Sequence, residues 1–299
     1  MKKLKHILEY AAVKLLVLPL WILPLRWSVG IGAAVGRLLW KLGIRRSVSR
    51  KNLEICFPDI STDERDRILA ESYANFCRSM VEFALLGKYR GRMMDFVDFE
   101  GGEKLREIHE NGEGCFFVSG HFGSWELMGA ALGGYGLPVD FLVGEQSNPA
   151  VDRYINRVRA SMGIGIIHMG VAARGVLKSI KSGRFVATLS DQDAGKSPVT
   201  VKFFGQDAAT PAGVAAFARK LKCPIAVGAT VRRDDPLNHR IHVEILRPDY
   251  DALPDDRREA DRLLTQRYTD ILEKYVREFP EMYFWAHRRF KSSVDYGGD

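Results

Sequence analysis

Only four cysteines are spread over 299 residues, Cys56, Cys77, Cys115 and Cys223, and no two of them form a CxxC pair. That scarcity excludes a thiolate zinc site and a disulfide framework, and it fits a reducing compartment. No HExxH or clustered His/Cys set offers metal ligands, so neither a metal nor a cofactor is expected. A GxSxG nucleophile elbow is missing too, since Gly123-Ser124-Trp125 is not one. There is no zinc-finger spacing, no RNA-binding signature and no basic stripe interleaved with aromatics. The formal charge of +7 is therefore not read as a nucleic-acid footprint. Nor is there a repeat, a low-complexity tract or a clear linker. An uninterrupted apolar run of the roughly 20 residues that a bilayer-spanning helix needs is also lacking. What remains is an ordinary folded composition, 46% hydrophobic and 27% charged, long enough to bury a sizeable core.

The charge has a location. Lys2, Lys3 and Lys5 precede the most apolar stretch, Leu15 to Leu25, and Arg45, Arg46, Arg50 and Lys51 follow a second, weakly amphipathic run, Val29 to Leu42. Cations flanking apolar segments read as a membrane flank. Pro19 and Pro24 would bend a helix there, yet residues 7–25, with Lys14 snorkelling, approach spanning length. A single anchor, an interfacial or re-entrant helix, a signal peptide and a core helix all remain open. Arg26 and Trp27 stand where a cleavage site would need small residues. We expect residues 1–45 to form a membrane-anchoring or interfacial segment and residues 46–299 an α/β domain. Gly30-Ile31-Gly32-Ala33-Ala34-Val35-Gly36 mimics a dinucleotide fingerprint, but no strand precedes it. Gly32 and Gly36 instead suit the close approach of a neighbouring helix.

From Thr62 to about Tyr89 the spacing of Ile68, Tyr73, Phe76, Met80, Phe83 and Leu86 predicts a helix, with capping residues at Ser61 to Glu64. Beyond Gly102 short apolar runs alternate with helical patterns. Strands are expected at 115–119, 139–143, 164–168, 185–190, 199–204, 225–231 and 241–246. Helices are expected at 102–109, 125–132, 151–162, 172–181, 211–221 and 257–279, the fifth opened by Thr210 as cap and Pro211 as first residue. Such alternation implies an α/β fold with a mainly parallel central sheet flanked by helices.

The segment that carries chemistry is Ser119-Gly120-His121-Phe122-Gly123-Ser124-Trp125-Glu126. An apolar strand ends at Ser119, glycines on both sides of the histidine relieve a tight connection, and Ser124 is placed to cap the next helix. His121 and Glu126 would lie about 140° apart on one continuous helix and could not meet. With His121 in the loop and Glu126 in the first turn, the carboxylate can fold back onto one imidazole nitrogen. The other nitrogen is then free to take a hydroxyl proton.

At this point the chain resembles the late acyltransferases of lipid A biosynthesis, of the lauroyl/myristoyl type, within the lysophospholipid acyltransferase superfamily. His121 and Glu126 match that group's His-x4-Asp/Glu motif. Gln146-Ser147-Asn148-Pro149 with Asn156-Arg157-Val158-Arg159, Asp191-Gln192-Asp193, Phe203-Phe204-Gly205 with Ala209 to Gly213, and Trp285 to Lys291 match further blocks in order. The resemblance implies an acyl carrier protein donor, a glycolipid acceptor and a place on the cytoplasmic face of the inner membrane, in lipopolysaccharide biosynthesis. It makes His121 the general base and Glu126 its partner. Arg159 becomes a contact for a phosphate, which a guanidinium grips with two hydrogen bonds. Gln146, Asn156, Asp191 and Gln192 join it as substrate-binding positions, and Trp285 to Lys291 would face headgroups. Another lipid acceptor (a glycerolipid, mannolipid or aminolipid) or a non-catalytic membrane-binding relative are the alternatives. Intact His121 and Glu126 weigh against the last.

Overall fold

A computed structural model of the protein describes residues 2–194 and 198–297. It opens with helices α1 (Lys2–Ile22), α2 (Leu25–Lys41), α3 (Arg46–Cys56), α4 (Thr62–Ala84) and the short α5 (Leu86–Tyr89). Pro19 lies inside α1, and Pro24 precedes α2 in extended conformation, so the two apolar runs become separate helices. Packing of α2 on α4 depends on Gly36. A Cβ there would stand 2.1 Å from the backbone oxygen of Tyr73, too close for any side chain. The opposite face of α2 exposes Trp27, Ile31, Val35, Leu38 and Leu42, a stripe at helical spacing.

On α1, Leu4, Ile7, Leu8, Leu15, Leu16, Leu18 and Ile22 are likewise exposed. No helix among the described residues is long and apolar enough to cross a membrane. Instead α1 is docked onto the protein. The buried Asn148 donates to His6 O and to the Glu9 carboxylate, each at 2.8 Å, and Lys88 Nζ donates to Leu23 O at 2.6 Å near the end of α1.

The rest alternates strands with helices: β1 (Val97–Glu100), α6 (Gly102–Glu110), β2 (Cys115–Ser119), α7 (Trp125–Gly134), β3 (Val139–Val143), α8 (Pro149–Ser161), β4 (Gly165–His168), α9 (Ala172–Lys181) and β5 (Phe185–Leu189). A hairpin of β6 (Pro198–Phe203) and β7 (Gln206–Pro211) follows, then α10 (Gly213–Leu221), β8 (Ile225–Arg232), β9 (His239–Leu246) and α11 (Arg257–Glu278). Seven strands form one sheet in the order β1-β9-β8-β2-β5-β3-β4. Neighbours run parallel except β8 and β9. The expected α/β class with a mainly parallel sheet is what the chain adopts.

Strand β2 lies near the middle and is buried on both faces, which is why Cys115 to Val118 read as a continuous apolar run rather than an alternating one. Phe117 packs with Leu127 and Phe141 on one face, while Phe116 and Val118 pack with Val176, Ile180 and Tyr268 on the other. Burial of each such side chain is worth about 1.5–3 kcal/mol. Two strands were not foreseen. Strand β1 at the sheet edge carries Asp98 and Glu100, and β7 contains Thr210 and Pro211, which the sequence pattern had assigned to a helix start. Thr210 is fully buried, its hydroxyl accepting from Arg289 at 2.7 Å, and α10 begins after Ala212 with no side-chain cap.

Candidate active site

The parallel ladder between β2 and β5 builds the centre of the site. Its register aligns Ser119 with Leu189, and the pairing continues one step further, Ser190 N–H donating to Ser119 O at 2.9 Å. The next pair in line is His121 and Asp191. Asp191 Oδ1 lies 2.8 Å from His121 Nδ1, and Asp191 Oδ2 accepts the His121 backbone N–H at 2.8 Å. Both residues follow the carboxyl ends of adjacent parallel strands, where crevices of α/β sheets open.

The loop after His121 is held tightly. Gly123 has φ +56°, and a Cβ there would meet Thr230 O of β8 at 1.8 Å, so only glycine lets the chain turn against the sheet. Ser124 precedes α7 but makes no side-chain cap, and its hydroxyl is buried without a hydrogen-bond partner among the described residues. Its expected capping role is not found.

The carboxylate on the imidazole is therefore Asp191's, not Glu126's. Glu126 occupies the first turn of α7 as expected, but points away from the ring to Arg159 of α8. Arg159 Nε donates to Glu126 Oε2 at 3.0 Å, and Nη2 donates to Oε1 as well, a two-pronged ion pair. The physical reason is register. Asp191 is delivered to His121 by the sheet itself, whereas Glu126 reaches the one nearby guanidinium of α8 that faces it.

Electrostatics follow the geometry. Burial alone would depress the His121 pKa, but the Asp191 charge and its hydrogen bond outweigh it and, with Glu126, hold the imidazole above the ordinary histidine value. Burial opposes ionisation of Asp191 too, yet His121, then Arg289, keeps its carboxyl below the usual aspartate value. The imidazole therefore has a fixed carboxylate partner. His121 Nδ1 faces Asp191, and Nε2, on the other side of the ring, has the Gln192 amide nitrogen 3.3 Å away. The imidazole is 21% exposed, which leaves it reachable.

Beside it lies a cavity of about 200 Å³, apolar at Phe117, Met128 and Phe141 and polar at Ser119, Glu126 and Arg159. Trp125 lines this cavity, and the His121 ring stands edge-on to it with centroids 5.1 Å apart. Gln146 is at the exposed rim. Asn156 accepts from Arg159 at 3.3 Å and donates to Asp152 at 3.0 Å, which places it behind the ion pair. Of the positions read as substrate-binding, then, Asp191 and Gln192 meet the imidazole, Arg159 and Gln146 line the cavity, and Asn156 supports Arg159. The Trp285 to Lys291 segment is not a headgroup-facing surface throughout: Trp285, Arg289 and Phe290 are buried, with Arg289 donating to Ala209 O at 2.9 Å.

The profile of the family described as "Bacterial lipid A biosynthesis acyltransferase" matches residues 1–292. The chain belongs to this family of bacterial lipid A biosynthesis acyltransferases. Among curated proteins it is similar to the lipid A biosynthesis palmitoleoyltransferase of Escherichia coli K12, at 29% identity over 281 residues, covering 92% of this chain and 89% of that one. The lipid A biosynthesis myristoyltransferase of the same organism is 27% identical over 90% of this chain and 82% of its own. Its lauroyltransferase is 26% identical over 88% and 84%.

Proposed function

We propose that this protein moves a fatty acyl group from acyl carrier protein to a hydroxyl of a lipid A precursor or related glycolipid, at the cytoplasmic face of the inner membrane. The observation that carries the reading is the His121–Asp191 pair, set by strand register beside a part-apolar cavity. Family membership supplies the class of reaction, and the names of the three relatives point to lipid A as the acceptor.

In this mechanism His121 Nε2 removes the proton from the acceptor hydroxyl as the oxygen attacks the thioester carbonyl. Asp191 stabilises the imidazolium and holds its proton on Nδ1. Gln192, its amide nitrogen 3.3 Å from Nε2, donates to the developing oxyanion once the hydroxyl takes its place at the imidazole. Collapse of the tetrahedral intermediate breaks the C–S bond, and the imidazolium returns its proton to the departing thiolate. The enzyme needs no nucleophile of its own. Glu126 acts by holding Arg159 at the cavity wall, where the guanidinium edge not used by Glu126 can meet an anionic group of a substrate. The exposed apolar faces of α1 and α2 lay the protein on the bilayer as interfacial helices, their area scaling the attraction. A groove of about 630 Å³ between α1 and α8, walled by Leu15, Leu18, Trp21 and Val158, offers lipid chains a second apolar surface.

Mass spectrometry of lipid A from a strain lacking this protein tests the reading. A lipid A one acyl chain short, restored by the wild-type gene and not by His121→Ala, is the expected result. Unchanged lipid A would overturn it.

A further inference from the structure

After α11 the chain returns along the site and touches the His121 loop and the turn that follows Asp191. Phe284 N–H donates to His121 O at 2.9 Å, Gly123 N–H donates to Met282 O at 2.8 Å, and Phe122 bridges to Tyr283. The histidine loop is thus paired like a short strand against residues 282–284. A few residues later the same segment grips the other loop. Asp193 N–H donates to His287 Nε2 at 3.3 Å. Ser292 donates to the Asp193 carboxylate through its N–H at 3.0 Å and its hydroxyl at 3.1 Å.

The segment is itself fastened. Asn52 Nδ2 donates to Trp285 O at 2.7 Å and to His287 O at 2.6 Å. Trp285 Nε1 donates to Pro280 O at 2.7 Å, and the Arg289 guanidinium is locked between Ala209 O and Thr210. A fixed strap therefore holds a turn that has no regular structure of its own. The last ladder bond of β5 ends at Ser190, and Asp191 to Asp193 lie beyond it.

We propose that His287 is a positioning residue for acyl transfer: by accepting the Asp193 N–H it sets the turn that aims Asp191 at His121. This rests on the acyl-transfer reading given above. With its Nε2 committed to Asp193, and outside the side chains that line the cavity, His287 acts through the turn. Burial holds its pKa below the ordinary value, which keeps the neutral acceptor form that the contact requires. A carboxylate misaimed by a fraction of an ångström would hold the imidazole poorly in the transition state while leaving substrate contacts intact. The expected effect therefore falls on kcat and not on KM.

The test uses the full chain with an acyl carrier protein thioester and a lipid A precursor, comparing His287→Leu with His287→Gln. Leucine keeps bulk and removes the acceptor; glutamine places an amide oxygen near the Nε2 position. His287→Leu should lower kcat by roughly 10- to 100-fold with both KM values within about twofold, and His287→Gln should recover most of it. The downfield proton signal of the His121 Nδ1–H should move in the leucine variant and return in the glutamine variant. A leucine variant with wild-type kcat, or equal losses in both variants with that signal unmoved, would overturn the proposal. Should His287→Leu fail to fold, Ser292→Ala loosens the same aspartate from its exposed side. It should then lower kcat several-fold, and an unchanged kcat overturns the idea. A wild-type protein that moves no acyl group would count against the acyl-transfer reading, and the His121 signal would still decide the role of His287.

Discussion

Replacing Asp191 by asparagine separates what the carboxylate does from the space it fills. The residue is 4% exposed and has two acceptor oxygens, one for His121 Nδ1 and one for the His121 backbone N–H. An asparagine has one acceptor and one donor. If its oxygen keeps the backbone N–H, its NH2 group faces Nδ1, which must then become the unprotonated nitrogen. The proton moves to Nε2, the nitrogen that should receive the substrate's proton, and the base is disabled. Loss of the negative charge also leaves the imidazolium without a partner. Wrong tautomer and lost charge together cost about 10³- to 10⁴-fold in kcat in comparable sites, about 4–5.5 kcal/mol of barrier. The sign of the pH effect follows from the same contacts. A general base works above its pKa, and Asp191 raises the His121 pKa against the effect of burial. Asp191→Asn should therefore move the acid limb of kcat/KM to lower pH while the plateau collapses. Glu126→Gln should leave most of that shift unmade, because Glu126 contributes less to it than Asp191 does. Acyl transfer from a labelled thioester, followed across pH with both variants, reads these outcomes. A loss under tenfold in Asp191→Asn, or an acid limb moved by Glu126→Gln alone, would refute the reasoning.

Three further outcomes follow from other parts of the fold. Gly36→Ala forces a methyl group against the Tyr73 carbonyl and should destabilise the protein by about 1–3 kcal/mol, read as a lower urea midpoint. Glu82 is fully buried and accepts from Arg232 at 3.0 Å and contacts His239 at 3.1 Å, so Glu82→Gln should cost about 3–5 kcal/mol of stability by stranding a buried guanidinium. Burial opposes ionisation of Glu82, but Arg232 and His239 prevail and depress its pKa. The stability it contributes is complete above the unfolded carboxylate pKa and lost as pH falls below it, which acid titration of the unfolding free energy will show. Ile31, Val35 and Leu38 replaced together by serine should weaken binding to anionic phospholipid vesicles at least about tenfold, measured by flotation, with the fold unchanged.

Most of the sheet was legible because its strands are short, apolar and punctuated by glycine. The expected bounds of Cys115–Ser119 and Val139–Val143 coincide with β2 and β3. Strand β1 was hidden because Asp98 and Glu100 give it the texture of a loop, and it joins the sheet only by pairing with β9. Thr210-Pro211 misled because a local capping pattern says nothing of the buried Arg289 that claims the threonine. His121 was visible from its glycines. The partner was misread because sequence distance favoured Glu126, five residues on, over Asp191, seventy residues on. The signal was present, since two apolar strands each ended in a polar loop, but only the parallel register of β2 and β5 places the two loops side by side. Arg159 was found, though not its pairing, because the Glu126 contact depends on how α8 crosses the cavity. His287 stood in a matched block without a role until the return path of the chain over both loops was known.

The most direct measurement is transfer of a labelled acyl group from acyl carrier protein to a lipid A precursor by the purified protein, wild type beside His121→Ala. Label should pass into the lipid with the wild type and fall to background with the variant, while both bind vesicles equally. Transfer at the wild-type rate without that imidazole would contradict the central claim.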